Sequence, residues 1–423
     1  MINVDISNIW CTVSLPDLLQ SEKTVFDAHM SLSGESRQNA WLSWLDPSDS
    51  ARRTWVNPVI TAAERIRSNS ETLVVVGGGL SAIAAKAAVR AATEKGPALP
   101  VLYIGSDYST ERWLRLAQML ENRDFSVLVT PSGVCDTVSL VALRGLRWIM
   151  EKRYGDEAKN RVYVAAGSRS MLSRMAETFG YTLLPMPESP GAESSSLNSA
   201  ALLIMALGGL RPGALFSGAA EMARQADDRS FDNPVWLYAA ARMILQQNAM
   251  HCETVCTPNQ QTADLGHWWC QSMTAATVKD GAGLFLQHMN LPEDFFLMGD
   301  SLLQPGRFAT LLQIPFTTKK VSVEMDWTDL DGLNCLAGQE LRTLEQKTLE
   351  SVAEACTEEE IPYITVECQQ PLGDETLGEL LYFLEFSAGL SAQTGGVLPA
   401  SHRQAAQVIE ALDQNLGRKL HTL

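Results

Sequence analysis

Histidine is scarce in this 423-residue chain: six residues, at 29, 251, 267, 288, 402 and 421, with no His-Glu-x-x-His run and no i, i+4 pair. That scatter argues against a zinc hydrolase, which needs ligands clustered on one helix face. Cysteine is also thin. The eight thiols at 11, 135, 252, 256, 270, 335, 356 and 368 are too sparse for a secreted disulfide framework and lack the close spacing of a four-thiolate zinc site. They are expected to be reduced, in a cytoplasmic protein. Positive charge is in deficit, 33 Lys plus Arg against 49 Asp plus Glu for a net charge of -16, so a phosphate backbone would be repelled and nucleic acid is not an expected partner. No apolar run reaches the roughly 20 residues that span a bilayer, and Met1-Ile-Asn-Val-Asp-Ile has no basic segment before a hydrophobic core, so neither membrane nor export is expected. What the chain does have is 46% hydrophobic and 19% charged residues, enough for a large core divided over two lobes.

Residues 1–64 carry tryptophans at 10, 41, 44 and 55 among helix-like apolar spacings broken by Pro16, Pro47 and Pro58, which predicts a helical lead-in. A strand, a glycine turn and an alanine-rich helix follow in ETLVVVGGG and SAIAAKAAVRAATEKG. The pattern recurs at VLYIGS, FSVLVTPSG and RVYVAAG, and YTLLPMP adds a fifth strand. Apolar strands without polar alternation, separated by helices, predict a parallel sheet covered on both faces, a three-layer α/β sandwich over 65–194. Residues 195–250 predict a helical bridge. A second α/β domain is expected over 251–400, with strands in ETVCTP, AGLFLQ, KKVSVEM and IPYITVE and helices in HWWCQSM, GLNCLAGQELRTLEQKTLESVAEAC and ETLGELLYFLEFSAGLSA; 401–423 predicts a C-terminal helix.

Chemistry is legible mainly at strand ends. Gly77-Gly78-Gly79 stands where a strand feeds a helix, where small residues let backbone N–H groups approach an anion. Two readings stay open, a phosphate cradle and a tight turn for close helix packing, because GGGLS has neither dinucleotide spacing nor a P-loop lysine. Ser132 in Thr130-Pro131-Ser132-Gly133, Gly105-Ser106 and Gly167-Ser168 occupy comparable strand ends. His267, His288 and His402 are acid-base candidates or ordinary packing and surface groups. Asp232, Asp264, Asp280, Glu293 and Asp294 are candidate cleft carboxylates or solvated charges.

In combination these segments resemble phosphoglucose isomerase (glucose-6-phosphate isomerase), especially its shorter bacterial form, over nearly the full length. WLSWLDPSD, VVVGGGLS, YIGSDYST, FSVLVTPSGVCDT, EKRYG, DNPVWLYAAARMIL, HWWCQSM and DLDGLNCLAG stand in the family's order. The resemblance implies two sugar-isomerase (SIS)-type three-layer α/β sandwich domains with parallel-rich sheets, a homodimer, no cofactor and no metal, and a site between the domains for glucose 6-phosphate or fructose 6-phosphate. Gly77, Gly79, Ser81, Ser132, Gly133 and Lys279 are its implied ligand-binding residues. The family's reaction, an aldose–ketose step of glycolysis and gluconeogenesis, needs an acid-base group at the ring oxygen, a carboxylate to carry the proton, and positive charge at the enediolate.

Here those roles are vacant. Ala275 stands at the proton-transferring glutamate, Glu193 at an arginine, Phe296 at the ring-opening histidine and Ile409 at the late lysine, with Arg403 the nearest cation. In the phosphate loop Pro131, Val134 and Cys135 replace a lysine and two hydroxyls, and Asp136 adds negative charge where a phosphate would lie. The expected function is therefore an inactive or altered member retained for sugar-phosphate binding, regulation or assembly with a protein partner. The alternative is a glucose-6-phosphate isomerase rebuilt around Glu293, His288 and Lys279, or around Glu188, Glu193 or His402.

Overall fold

The computed structural model describes residues 1–33, 52–92, 95–96, 98–130, 137–188, 191–279, 281–315, 320–397 and 403–417. In chain order its elements are β1 (Ile2–Asp5), α1 (Leu15–Ser33), α2 (Asn57–Asn69), β2 (Thr72–Val76), α3 (Leu80–Ala91), β3 (Val101–Ile104), α4 (Thr110–Leu120), β4 (Phe125–Val129), α5 (Thr137–Tyr154), β5 (Val162–Ala166), α6 (Met171–Phe179), β6 (Thr182–Pro185), α7 (Ser199–Leu207) and α8 (Pro212–Ala226). They continue with α9 (Pro234–Gln247), β7 (Cys252–Thr257), α10 (Gln260–Thr277), β8 (Phe285–Asn290), α11 (Glu293–Leu302), β9 (Arg307–Gln313), α12 (Leu341–Glu358), β10 (Tyr363–Cys368), α13 (Asp374–Thr394) and α14 (Arg403–Asn415). The chain divides into two compact units. The first comprises Ser31–Val89, Lys95–Ala220 and Leu398–Leu423, the second Met1–Met30, Arg90–Glu94 and Glu221–Val397.

In the first unit the strands run in the order β3-β2-β4-β5-β6, all parallel. TLVVV, FSVLV and VYVAA are buried along their whole length, which is why they show no polar alternation: helices cover both faces. Val74, Val76, Val127 and Val129 pack with Leu143 and Leu146 of α5 on one face. The chain leaves β2 for β3 on one side and returns to β4 on the other, so the order reverses at the carboxyl ends of β2 and β4. A crevice opens at such a reversal, and ligands of α/β sheets gather there.

The second unit has the order β1-β10-β9-β7-β8, parallel except for β1, which pairs antiparallel with β10. Its reversal lies between β7 and β9. On α9 and α13, which pack together, apolar residues run almost all the way round, and both helices are largely buried.

Several expectations change. The segment expected as a helical lead-in opens on β1, whose alternate burial of Ile2 and Val4 fits an edge strand. Of KKVSVEM, the described residues 320–325 form no strand: Ser322 makes a single bridge to Glu340, and Val321 and Met325 are exposed. The vacant place in the sheet is filled by RFATLLQ of β9, buried through its middle. Within DGLNCLAGQEL a short 3-10 turn covers Leu333–Leu336 and the α-helix starts only at Leu341, because Gly332 and Gly338 turn the backbone through left-handed conformations. The stretch expected as a bridge is shared, α7 packing in the first unit and α9 in the second. The C-terminal helix docks in the first unit, where the Thr137 hydroxyl donates to the buried carboxylate of Asp413.

Candidate functional site

The glycine run lies at the reversal of the first sheet. Gly77 has φ +121°, and a Cβ there would stand 2.3 Å from the Thr130 carbonyl oxygen, so the ends of β2 and β4 lie this close only because this residue has no side chain. At Gly78 a Cβ would meet that of Ser106 at 3.2 Å, bringing the end of β3 against the same loop. The Gly79 carbonyl accepts the Ala82 and Ile83 N–H groups at 3.0 and 3.3 Å and starts α3, while the preceding amides of Leu80 and Ser81 have no intrahelical acceptor. Ser81 in that turn is fully buried, and its hydroxyl has no hydrogen-bond partner among the described residues. An orphan hydroxyl beside unpaired helix amides suits an anionic ligand.

Arg112, which the sequence did not single out, supplies positive charge nearby. It donates to Ser106 Oγ at 3.2 Å and to the Tyr103 carbonyl at 3.2 Å, and it pairs with Asp107. Ser132, Gly133 and Asp136 of the expected phosphate loop, and with them Asp280 and His402, lie outside the described residues. At the end of β5, Ser168 donates to Glu188, whose carboxyl is held below the usual range chiefly by that bond and also by Arg169 at 3.7 Å. Glu188, just past β6, is exposed and tied to the residues that follow the neighbouring β5. Glu193 falls in the short turn Ala192–Ser194, and Ile409 is half-buried on α14 with no group able to carry a proton.

In the second unit Ala275 is half-buried on the last turn of α10. Lys279 follows, its backbone paired with Ala282 in both directions at 3.2 and 2.9 Å. His288 lies toward the carboxyl end of β8, its Nε2 2.8 Å from the Thr257 hydroxyl and its ring 6.4 Å from that of His267. Burial, with His267 adding to it, pushes His288 down to about 4, so it is neutral at pH 7. Gly266 makes room for it: a Cβ there would lie 2.6 Å from His288 Cδ2 and 2.5 Å from Thr257 Cγ2. Glu293 is exposed in the first turn of α11, while its neighbour Asp294 accepts the Asn290 N–H at 2.6 Å. Phe296 is 82% exposed.

The three proposed substitutes are thus strung along one strand. Lys279 precedes the amino end of β8 and Glu293 follows its carboxyl end, and six residues of strand separate the two ends by roughly 17 Å. No group of three or more metal-ligating side chains occurs among the described residues, and none of their helices is long and apolar enough to cross a membrane.

Two α/β sandwiches, each with a parallel-rich five-stranded sheet, define the class of the SIS-fold proteins. A hypothetical protein from Thermus thermophilus superposes with a TM-score of 0.87 at 19% identity, covering 98% of this chain and 100% of that one. A glucose-6-phosphate isomerase from Chlamydia trachomatis superposes at 0.75 with 14% identity, over 95% and 84%. By sequence the chain is 29% identical over 411 residues to the glucose-6-phosphate isomerase of Staphylococcus epidermidis, covering 95% of this chain and 91% of the relative. Against that of Staphylococcus aureus it is 28% identical over the same length. No family model matches. Within the SIS-fold class the chain is a distant homologue of the glucose-6-phosphate isomerases.

Proposed function

We propose that this protein is a catalytically inactive relative of glucose-6-phosphate isomerase, retained to bind a sugar phosphate for regulation or assembly, and that it acts as a homodimer. The observation that carries the loss of chemistry is the separation of Lys279 from Glu293 along β8, with His288 between them neutral and engaged by Thr257. A rebuilt isomerase needs a proton carrier and a positive group around one pair of carbons. Groups at opposite ends of a strand do not meet that need, and Ala275, Phe296 and Ile409 have no titrating side chain to replace them. The retained function rests on the glycine loop: the reversal at β2 and β4, the α3 amino terminus and the orphan Ser81 hydroxyl support binding of a phosphate monoester.

A coupled assay on the purified chain, supplied with fructose 6-phosphate, should read no turnover above the enzyme-free rate, while calorimetry with the same ligand should read saturable binding that weakens in Ser81→Leu. Turnover that disappears in Glu293→Gln would establish the rebuilt enzyme instead. Absence of both turnover and binding would leave the chain without its proposed ligand class.

A further inference from the structure

The second unit has its own reversal, between β7 and β9, and a cavity of about 460 Å³ opens beside it. Pro258 borders it just past β7, Gln313 from the end of β9, Glu367 from β10 and Gln369 just past it, while Arg342, Glu345 and Gln346 of α12 form the opposite wall. The volume lies in the range of small-molecule sites, and the position, outside the carboxyl ends of parallel strands at a reversal, is where such sheets bind ligands. Every described residue of this lining belongs to the second unit, and none belongs to the glycine loop.

Its chemistry differs from that of the first unit's loop. Arg342 is the only cation among the described lining residues, and its Nε is already engaged by the Glu340 carboxylate. Against it stand the carboxylates of Glu345 and Glu367 and the carboxamides of Gln313, Gln346 and Gln369. Such a lining offers many acceptors and little positive charge, so it disfavours a phosphate and suits a ligand rich in hydroxyl donors.

The wall is also built rather than incidental. Asn259 donates from its amide nitrogen to Glu345, while its oxygen accepts the backbone N–H groups of Gln261 at 2.9 Å and Thr262 at 3.1 Å, capping α10. The side chain that holds Glu345 therefore cannot turn without undoing a helix cap. Burial raises the Glu345 carboxyl above its ordinary value even with that amide bond opposing it, as expected for an acceptor partly withdrawn from water.

We propose that this cavity is a second ligand site, for an uncharged polyhydroxylated molecule of monosaccharide size, with Glu345, Glu367, Gln313 and Gln369 receiving its hydroxyls. The site is independent of sugar-phosphate binding at the glycine loop and holds whether or not that reading does.

Saturation-transfer NMR on the full chain tests it, with D-glucose, D-fructose and D-sorbitol each at about 10 mM, a concentration that saturates a site of millimolar Kd. At least one should bind. Its binding should weaken about tenfold in Glu345→Gln, which keeps the shape but removes the charge-assisted acceptor. Binding should vanish in Gln369→Trp, which fills the exposed rim, with circular dichroism confirming that both variants fold, and it should survive in Ser81→Leu. The proposal is overturned if no member of the panel binds, if binding is unchanged in both cavity variants, or if inorganic phosphate displaces the bound polyol.

Discussion

Glu253 of β7 is fully buried and accepts three hydrogen bonds: from Arg242 Nε at 2.5 Å, from the Tyr238 hydroxyl at 2.5 Å and from the Thr310 hydroxyl at 2.7 Å. Burial first, and the Glu253 charge second, push the Tyr238 phenol well above its usual range, so it stays a donor. Arg242 is itself buried, and its Nη2 has no hydrogen-bond partner among the described residues. Consider Glu253→Gln. The amide preserves the shape, and the two hydroxyls can turn to accept from its new N–H groups while its oxygen faces Arg242. Geometry therefore survives, and the loss is the countercharge of a guanidinium that water does not reach. Breaking a buried pair from one side costs about 3–5 kcal/mol, which for a unit of this size lowers Tm by roughly 10 °C. Urea unfolding followed by far-UV circular dichroism and tryptophan fluorescence measures it, since Trp236, Trp268 and Trp269 report on the second unit and Trp113 and Trp148 on the first. The double variant Arg242→Met with Glu253→Gln removes the orphaned charge and should recover most of the loss, to within about 2 kcal/mol of the parent. A single variant destabilised by less than about 1 kcal/mol, or a double variant no more stable than the single, would refute the reasoning.

Other perturbations reach different parts of the molecule. Gly77→Ala forces a side chain into a left-handed backbone and against the Thr130 carbonyl, and should cost at least about 2 kcal/mol of the first unit's stability, whereas Gly78→Ala should cost less than about 1 kcal/mol; paired urea melts compare them. His288 titrates near 4 in the folded chain and near 6.5 unfolded, so between those values the unfolded state binds more protons and stability falls as pH drops from 6.5 toward 4. Across that window the loss is on the order of 3 kcal/mol. The wild type should therefore lose more stability than His288→Gln between pH 7 and pH 5, and parallel losses would show that another group controls the slope.

Legibility followed the kind of signal each element carries. β2 to β6 are plain because each is a short, mostly apolar run that stops at glycine or proline or just before Thr130-Pro131, and the alanines of α3 leave little but helix. The alternating valines of VSVEM look like a strand wherever they occur, whereas RFATLLQ of β9 carries no such alternation. Only the sheet decides which segment has neighbours to bury it, and Phe308 to Leu312 do while Val321 and Met325 do not. β1 needed β10, nearly the whole chain away, to become a strand at all. At the site the glycine run was visible, but Arg112 beside Ser106, the orphaning of Ser81, and His288 held between Thr257 and Gly266 are products of packing.

The amino-acid order alone determined the class of the chain: two α/β lobes, a glycine turn after the first long strand, and a net charge of -16. These are local properties, carried by periodicity, turn residues and side-chain chemistry. Tertiary structure alone decided that Gly77 must be glycine, because the clash is with Thr130 on another strand. It also decided that Lys279 and Glu293 lie at opposite ends of β8, and that the acceptor-rich residues 313, 345, 367 and 369, far apart in sequence, line one cavity. The physical reason is common to all three: distance and burial are set by which strands pair, and pairing in a parallel sheet joins segments that the chain itself keeps dozens of residues apart.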